Sequence, residues 1–159
     1  MQSPYGALDI VSNESHITAV HFWGRDTVPP TETSGLEAPP VLVEAAAQLQ
    51  AYFEGRLMRF DLPLAPDGTE FQRAAWQALC EIPFGDTITY AEQARRIGRP
   101  TATRAIGAAN GRNPIPVIVP CHRVIGADGS LTGFALGTEM KRGLLEHEQR
   151  VRAATRGAA

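Results

Sequence analysis

The stretch IPVIVPCHRVIG, residues 115 to 126, sets a cysteine and a histidine side by side behind a short apolar run held between prolines. Such a cysteine is either a buried structural thiol or a nucleophile held beside its base. Nucleophilic sulfur must first lose a proton, because a free thiol is only a few per cent thiolate at neutral pH. The one other cysteine is Cys80. Two cysteines do not make a disulfide framework, and no Cys-x-x-Cys pair suggests zinc. Cys121 and His122, as sequence neighbours, are awkward partners on one metal ion, so no metal site and no cofactor are expected.

Chemistry of this kind needs elements to hold it. The 159 residues suffice for one ordinary domain or two small ones. An apolar share of 43% permits a core, and 20% charged residues argue against disorder. No apolar run is long enough for a bilayer, and the opening MQSPYGALDIV lacks the features of a signal peptide, so a cytoplasmic protein is expected. The net charge of -2 discourages a nucleic-acid partner, but distribution matters more than the sum. Between Gln93 and Arg123 lie six arginines (Arg95, Arg96, Arg99, Arg104, Arg112, Arg123) and no acid, which predicts one basic face.

The segments ALDIV and HITAVHFW, parted by SNES, predict a β-hairpin over residues 7–23. The proline-rich run from Val28 to Pro40 predicts a loop or crossover. Leu42, Ala45, Ala46, Leu49 and Phe53 fall at helical spacing, and MRFDLPL reads as a returning strand. Asp67-Gly68 marks a turn. Thr69 with Gln72 forms a capping box that opens a helix burying Phe71, Ala75, Leu79 and Trp76, with Cys80 as a small core residue at its end. Tyr90 to Ile97 and Thr101 to Arg112 read as two short helices broken at Gly98-Arg99-Pro100, a helix-turn-helix pattern. The second helix centres on Gly107-Ala108-Ala109. So little bulk suits either a backbone pressed against a flat or narrow partner or tight helix–helix packing. A glycine-rich turn precedes a closing helix over Thr138 to Glu148, and the basic, alanine-rich tail is expected to fray.

The run RAIGAANGRNPIPVIVPCHRVIGADGSLTGF resembles the active-site region of the O6-alkylguanine-DNA alkyltransferases, also called methylated-DNA–protein-cysteine methyltransferases, whose signature is Pro-Cys-His-Arg-Val, here Pro120 to Val124. TEFQRAAWQAL, FGDTITYAEQA and KRGLLEHE resemble the same family in order and distance. The likeness is strong from Thr69 to Glu148 and holds in outline before that, where SPYGALDIV and FDLPL are its anchors. It implies an α+β fold: an N-terminal α/β scaffold with a small antiparallel sheet and helix (1–66), a mostly helical DNA-binding and alkyl-acceptor domain with a helix-turn-helix and cysteine loop (67–150), and a flexible tail (151–159).

The resemblance also implies roles. Cys121 would accept the alkyl group from guanine O6, with O4 of thymine as an additional donor. His122 would be the base, acting through a water, and Glu148 the carboxylate steadying it. Asn113 would brace the turn, and Tyr90 would donate near the leaving guanine. The thioether is a dead end, so the protein would react once. The base must be flipped out of the duplex. Arg104 would fill the gap, while Ala102, Thr103 and Gly107 would lie on the minor-groove helix. Val124 and Ala135 would hold the guanine edge through their backbone. Phe134 and Pro116 would line the alkyl side, and Lys141 would order the pocket loop. The implied partner is double-stranded DNA bearing O6-alkylguanine, met by a monomer, without a membrane. Two departures stand out: Phe134 where the family usually has tyrosine, and Leu136 within a run that is usually glycine. The zinc ligands of some members' N-terminal domains are missing. A non-enzymatic lesion binder is the alternative, although such proteins lack the acceptor cysteine.

Overall fold

The computed structural model describes residues 1–24, 37–131 and 133–157. They fall into two compact units, Met1–Asp67 and Gly68–Ala159. Most of the expected proline-rich loop lies outside the described residues.

In the first unit, β1 (Gln2–Ser3), β2 (Gly6–Ser12) and β3 (Ile17–Gly24) form an antiparallel sheet in the order β1-β2-β3. The β2–β3 pair is the expected hairpin; Ile10 faces Val20 in its register. Helix α1 (Pro40–Phe53) begins on proline, whose fixed φ and missing N–H suit a first turn. It buries Ala45, Gln48, Leu49 and Tyr52. MRFDLPL does not form the expected strand. Both backbone groups of Asp61 are taken by the Gln48 side chain, whose Nε2 donates to Asp61 O at 3.0 Å and whose Oε1 accepts from Asp61 N at 2.9 Å. Pro63 has no N–H to give. The run pairs with β3 through an isolated parallel bridge of Leu64 with Ile17, in which Pro63 O accepts from Ile17 N at 2.8 Å.

The second unit is mostly helical: α2 (Glu70–Cys80), α3 (Tyr90–Arg96), α4 (Thr103–Gly111) and α5 (Thr138–Gly157). Two short strands, β4 (Ile88–Thr89) and β5 (Val124–Ile125), pair in parallel. The capping box of α2 is present, with Thr69 accepting from Gln72 N and Gln72 reaching back to Thr69 N. The α2–α3–α4 core is Ala75, Ala94, Ile106 and Ala109, with Phe71, Tyr90 and Ile97 against it. Alanines let the three helices approach closely. Cys80 is exposed rather than a core residue. It stands about 100° around the axis from buried Leu79, off the inward stripe. The closing helix does not stop near Glu148: α5 runs to Gly157. Gln149 Nε2 donates to Gly85 O at 2.6 Å, and Arg152 pairs with Asp86. Among the described residues no helix is long and apolar enough to cross a membrane.

Candidate active site

The cysteine loop leaves the end of α4 at Asn113. Three prolines (Pro114, Pro116, Pro120) narrow its conformations. The Asn113 side chain closes it: Nδ2 donates to Val119 O at 2.8 Å and to Cys121 Sγ at 3.2 Å, and Oδ1 accepts from Ile115 N at 3.0 Å. Val117, fully buried, sits at φ 73°. A β-branched residue adopts that left-handed conformation only when its surroundings impose it. Here Ile115 O accepts from Val119 N at 2.9 Å, spanning the residue. The loop ends in a 3-10 turn, Cys121–Arg123, and passes into β5. The parallel pairing of Val124 with Ile88 ties that turn to β4, and β4 leads directly into Tyr90 at the start of α3.

His122 and Glu148 are both completely buried, with Nε2 and Oε2 at 2.7 Å. An ionised carboxylate only accepts, so Nε2 carries the hydrogen and Nδ1 is left as the basic nitrogen. Nδ1 is buried and has no hydrogen-bond partner among the described residues. Glu148 is met from three further directions. Arg123 donates through Nε to Oε1 at 2.9 Å and through Nη2 to Oε2 at 3.0 Å, and Gly85 N donates to Oε1 at 3.0 Å. The third arm of Arg123, Nη1, donates to Ile82 O at 2.7 Å.

These contacts set the protonation states. Burial alone would raise the Glu148 carboxyl, but the hydrogen bonds and charges of His122 and Arg123 outweigh it and hold it far below the usual carboxylate range. Burial pushes the His122 imidazole down. Glu148 pulls it up, while the positive charges of Arg123 and Lys141 push it down again. Burial also raises the Cys121 thiol, against partial relief from Asn113 and Lys141. The resting site is therefore a thiol beside a neutral imidazole, which calls for a base during reaction rather than a standing thiolate.

Tyr90 is half-buried, and burial raises its phenol, keeping it a donor. Lys141 is fully buried on α5 and donates from Nζ to Tyr90 Oη at a long 3.4 Å. Burial lowers the ammonium and the neighbouring Cys121 raises it in part. Gly133 runs against the same phenol: a Cβ there would lie 2.8 Å from Tyr90 Oη.

The helix-turn-helix is braced from within. Gln93 and Asn110 exchange buried amide bonds at 2.9 and 2.7 Å, and Gln93 also donates to Ala75 O at 3.1 Å. Trp76 Nε1 donates to Ala109 O at 2.8 Å, pinning the last turn of α4 to α2. The small residues of α4 divide between the two uses open to them. Ala109 packs inside, whereas a Cβ on Gly107 would meet nothing within 4 Å. Thr103, Arg104, Ala105 and Ala108 are exposed, and Ala102 is half-buried at the N-cap.

Cys121, His122, Asn113 and Glu148 are thus brought together by hydrogen bonds or adjacency, with Tyr90 and Lys141 coupled to Cys121 electrostatically. Pro116 and Val124 are buried, Phe134 and Leu136 half-buried, and Ala135 exposed. The six arginines expected on one basic face are not all available to it. Arg123 is inside, and Arg95 and Arg96 pair with Glu92, one residue before the acid-free window. Arg99, Arg104 and Arg112 are the exposed remainder. Sequence reasoning missed Arg123, Gly85 and Gln149 around Glu148. A buried carboxylate needs more donors than one neutral histidine supplies, and that need was the available signal.

A two-part α+β chain, with a helix-turn-helix beside a buried cysteine, histidine and glutamate, defines a class, and known proteins share it. The family model for the DNA binding domain of 6-O-methylguanine DNA methyltransferase matches residues 70–150. The model for the ribonuclease-like domain of the same proteins matches residues 1–66. A methylated-DNA–protein-cysteine methyltransferase of Methanosarcina barkeri is 48% identical over 94% of both chains. Its counterpart from Mycobacterium tuberculosis is 46% identical, covering 94% of this chain and 90% of that one. The crystal structure of Mycobacterium tuberculosis OGT in complex with DNA superposes with a TM-score of 0.82 at 44% identity, covering 95% of this chain and 91% of the other. The chain belongs to the 6-O-methylguanine DNA methyltransferase family, the methylated-DNA–protein-cysteine methyltransferases of DNA repair.

Proposed function

We propose that the protein repairs alkylated duplex DNA by moving a methyl group from O6 of guanine, and from O4 of thymine, onto Cys121, once per chain. The observation that carries the reading is the buried Cys121 held at 3.2 Å by Asn113, next in sequence to a neutral His122 whose free nitrogen is Nδ1. In the reaction the S–C bond forms as the O6–C bond breaks. The thiol proton passes through a water to His122 Nδ1, and the electron pair of the broken bond stays on the base. The Tyr90 phenol donates toward the leaving guanine and lowers that barrier. The S-alkyl cysteine has no route back, so turnover is single.

The open face of α4 suits the minor groove, where Gly107 and its small neighbours admit the backbone. Arg104 takes the place of the base that swings out. Binding then rests on phosphate contacts, with little sequence preference and strong salt dependence. The chain works as a monomer in the cytoplasm on this reading. Intact mass before and after mixing with a duplex carrying one O6-methylguanine tests it, with Cys121→Ala as control. A gain of one methyl group on Cys121 is expected, absent in the control. No gain with binding retained would demote the protein to a lesion binder.

A further inference from the structure

We propose that Arg123 is a positioning residue for methyl transfer: its guanidinium neutralises and orients Glu148 so that His122 stays uncharged and offers Nδ1 as the base. The inference rests on the transfer reading above.

The argument begins with a buried anion. Glu148 is completely buried, and an ionised carboxylate there must be balanced. His122 can balance it only by becoming imidazolium, with both nitrogens carrying hydrogen and none left to accept a proton. Arg123 balances it with a charge that never titrates. Its fork reaches both carboxylate oxygens, at 2.9 and 3.0 Å, and its third arm is fixed on Ile82 O at 2.7 Å. The Phe84 ring lies 5.6 Å from the guanidinium carbon. The carboxylate is therefore locked in the plane of the fork, and Oε2 is presented to His122 Nε2.

The other charged and titratable groups acting here come from several elements. Burial first, and then the charges of Arg123 and of Lys141 on α5, push His122 toward the neutral form. Cys121 in the turn faces Lys141. Cys80 at the end of α2 feels Arg123 and Glu81. Glu148 is the one group in this set that favours imidazolium, and Arg123 holds it.

The test is the pH profile of single-turnover methyl transfer for the wild type, Arg123→Met and Arg123→Lys. Removing the charge lets His122 take a proton, so the acidic limb of Arg123→Met should move up by roughly one pH unit. Lysine keeps the charge but not the fork, so its limb should stay near the wild type while the plateau rate falls roughly tenfold. A purely structural arginine would lower the amount of active protein without moving the limb. An unmoved limb in Arg123→Met therefore overturns the proposal. If that variant does not fold, nitrogen spectra of wild-type His122 decide: Nε2–H with a bare Nδ1 at neutral pH is expected, and a doubly protonated ring refutes it. A wild-type protein that gains no methyl group at any pH refutes the transfer reading instead, while the spectra still judge Arg123.

Discussion

Replacing Gly133 by alanine tests how the Tyr90 phenol is placed. Gly133 sits at φ 82°, where an L side chain is strained, and a Cβ would lie 2.8 Å from Tyr90 Oη. The two costs can be separated, because Gly129 has the same φ of 82° and open space around its Cβ. The left-handed backbone costs about 1–2 kcal/mol in either alanine variant, offset by about 0.4–1 kcal/mol from a stiffer unfolded chain. Gly129→Ala should therefore lose about 0–1.6 kcal/mol. Gly133→Ala adds the contact. The phenol is the end of a rigid ring whose first helix turn is fixed by the Thr89 cap, so it must shift by several tenths of an ångström. Overpacking of that kind costs about 1–3 kcal/mol more. Displacing the donor should also slow transfer by up to roughly a hundredfold. Urea midpoints of both variants and single-turnover methyl transfer read the two effects. If Gly133→Ala matches Gly129→Ala in stability and transfers at the wild-type rate, the phenol is not held by this glycine.

Trp76→Phe should lose roughly 2–3 kcal/mol in chemical denaturation, from a smaller ring and the lost bond to Ala109 O. The bond's share is the lesser one, since Ala109 O still accepts from Arg112 N at 3.1 Å. Gly68→Ala, whose Cβ would lie 2.5 Å from the Trp76 ring, should destabilise the wild type more than the Trp76→Phe variant; equal losses would deny the contact. Acid should destabilise the fold in two stages, because both His122 and Glu148 are held below their usual pKa values. Below about pH 6.5 the unfolded histidine binds a proton that the folded one refuses, and below about pH 4.3 the same holds for the glutamate. Stability then falls with pH in each window by up to about 1.4 kcal/mol per unit for each group, and urea midpoints that stay level from about pH 7 to pH 5 would contradict the histidine stage. Leu136, half-buried beside Ala135, should make benzyl transfer slower than methyl transfer, with Leu136→Gly closing the gap; equal wild-type rates would exclude this.

What could be read from the sequence was local. Thr69 with Gln72 writes a helix start within four residues, and the two runs around SNES write a hairpin. The residues that needed partners far along the chain were misread. Arg123 counted as part of a basic surface because its neighbours are arginines, yet a carboxylate 25 residues later takes it inside. The basic tail looked free because its anchor, Asp86, is 66 residues away from Arg152. The strands β4 and β5 have two residues each, too few to show a period. FDLPL has strand-like residues, but Asp61 spends both its backbone bonds on a glutamine side chain and Pro63 has no N–H to give. At the site, Cys121 and His122 stood out as neighbours, but their roles, and Glu148 altogether, came through family likeness. Nothing in their spacing indicates that a carboxylate on the last helix completes a pair begun in a loop.

That last helix bears on the order of synthesis. Lys141 and Glu148 both belong to α5, which leaves a ribosome after the cysteine loop and the helix-turn-helix. A nascent chain stopped before residue 138 already carries the cysteine and the whole helix-turn-helix, but its histidine lacks the acid and its phenol lacks the ammonium. On the proposed single-use chemistry, each chain is a cartridge that cannot be fired before α5 is made, so none is wasted on an alkyl donor before this unit can fold.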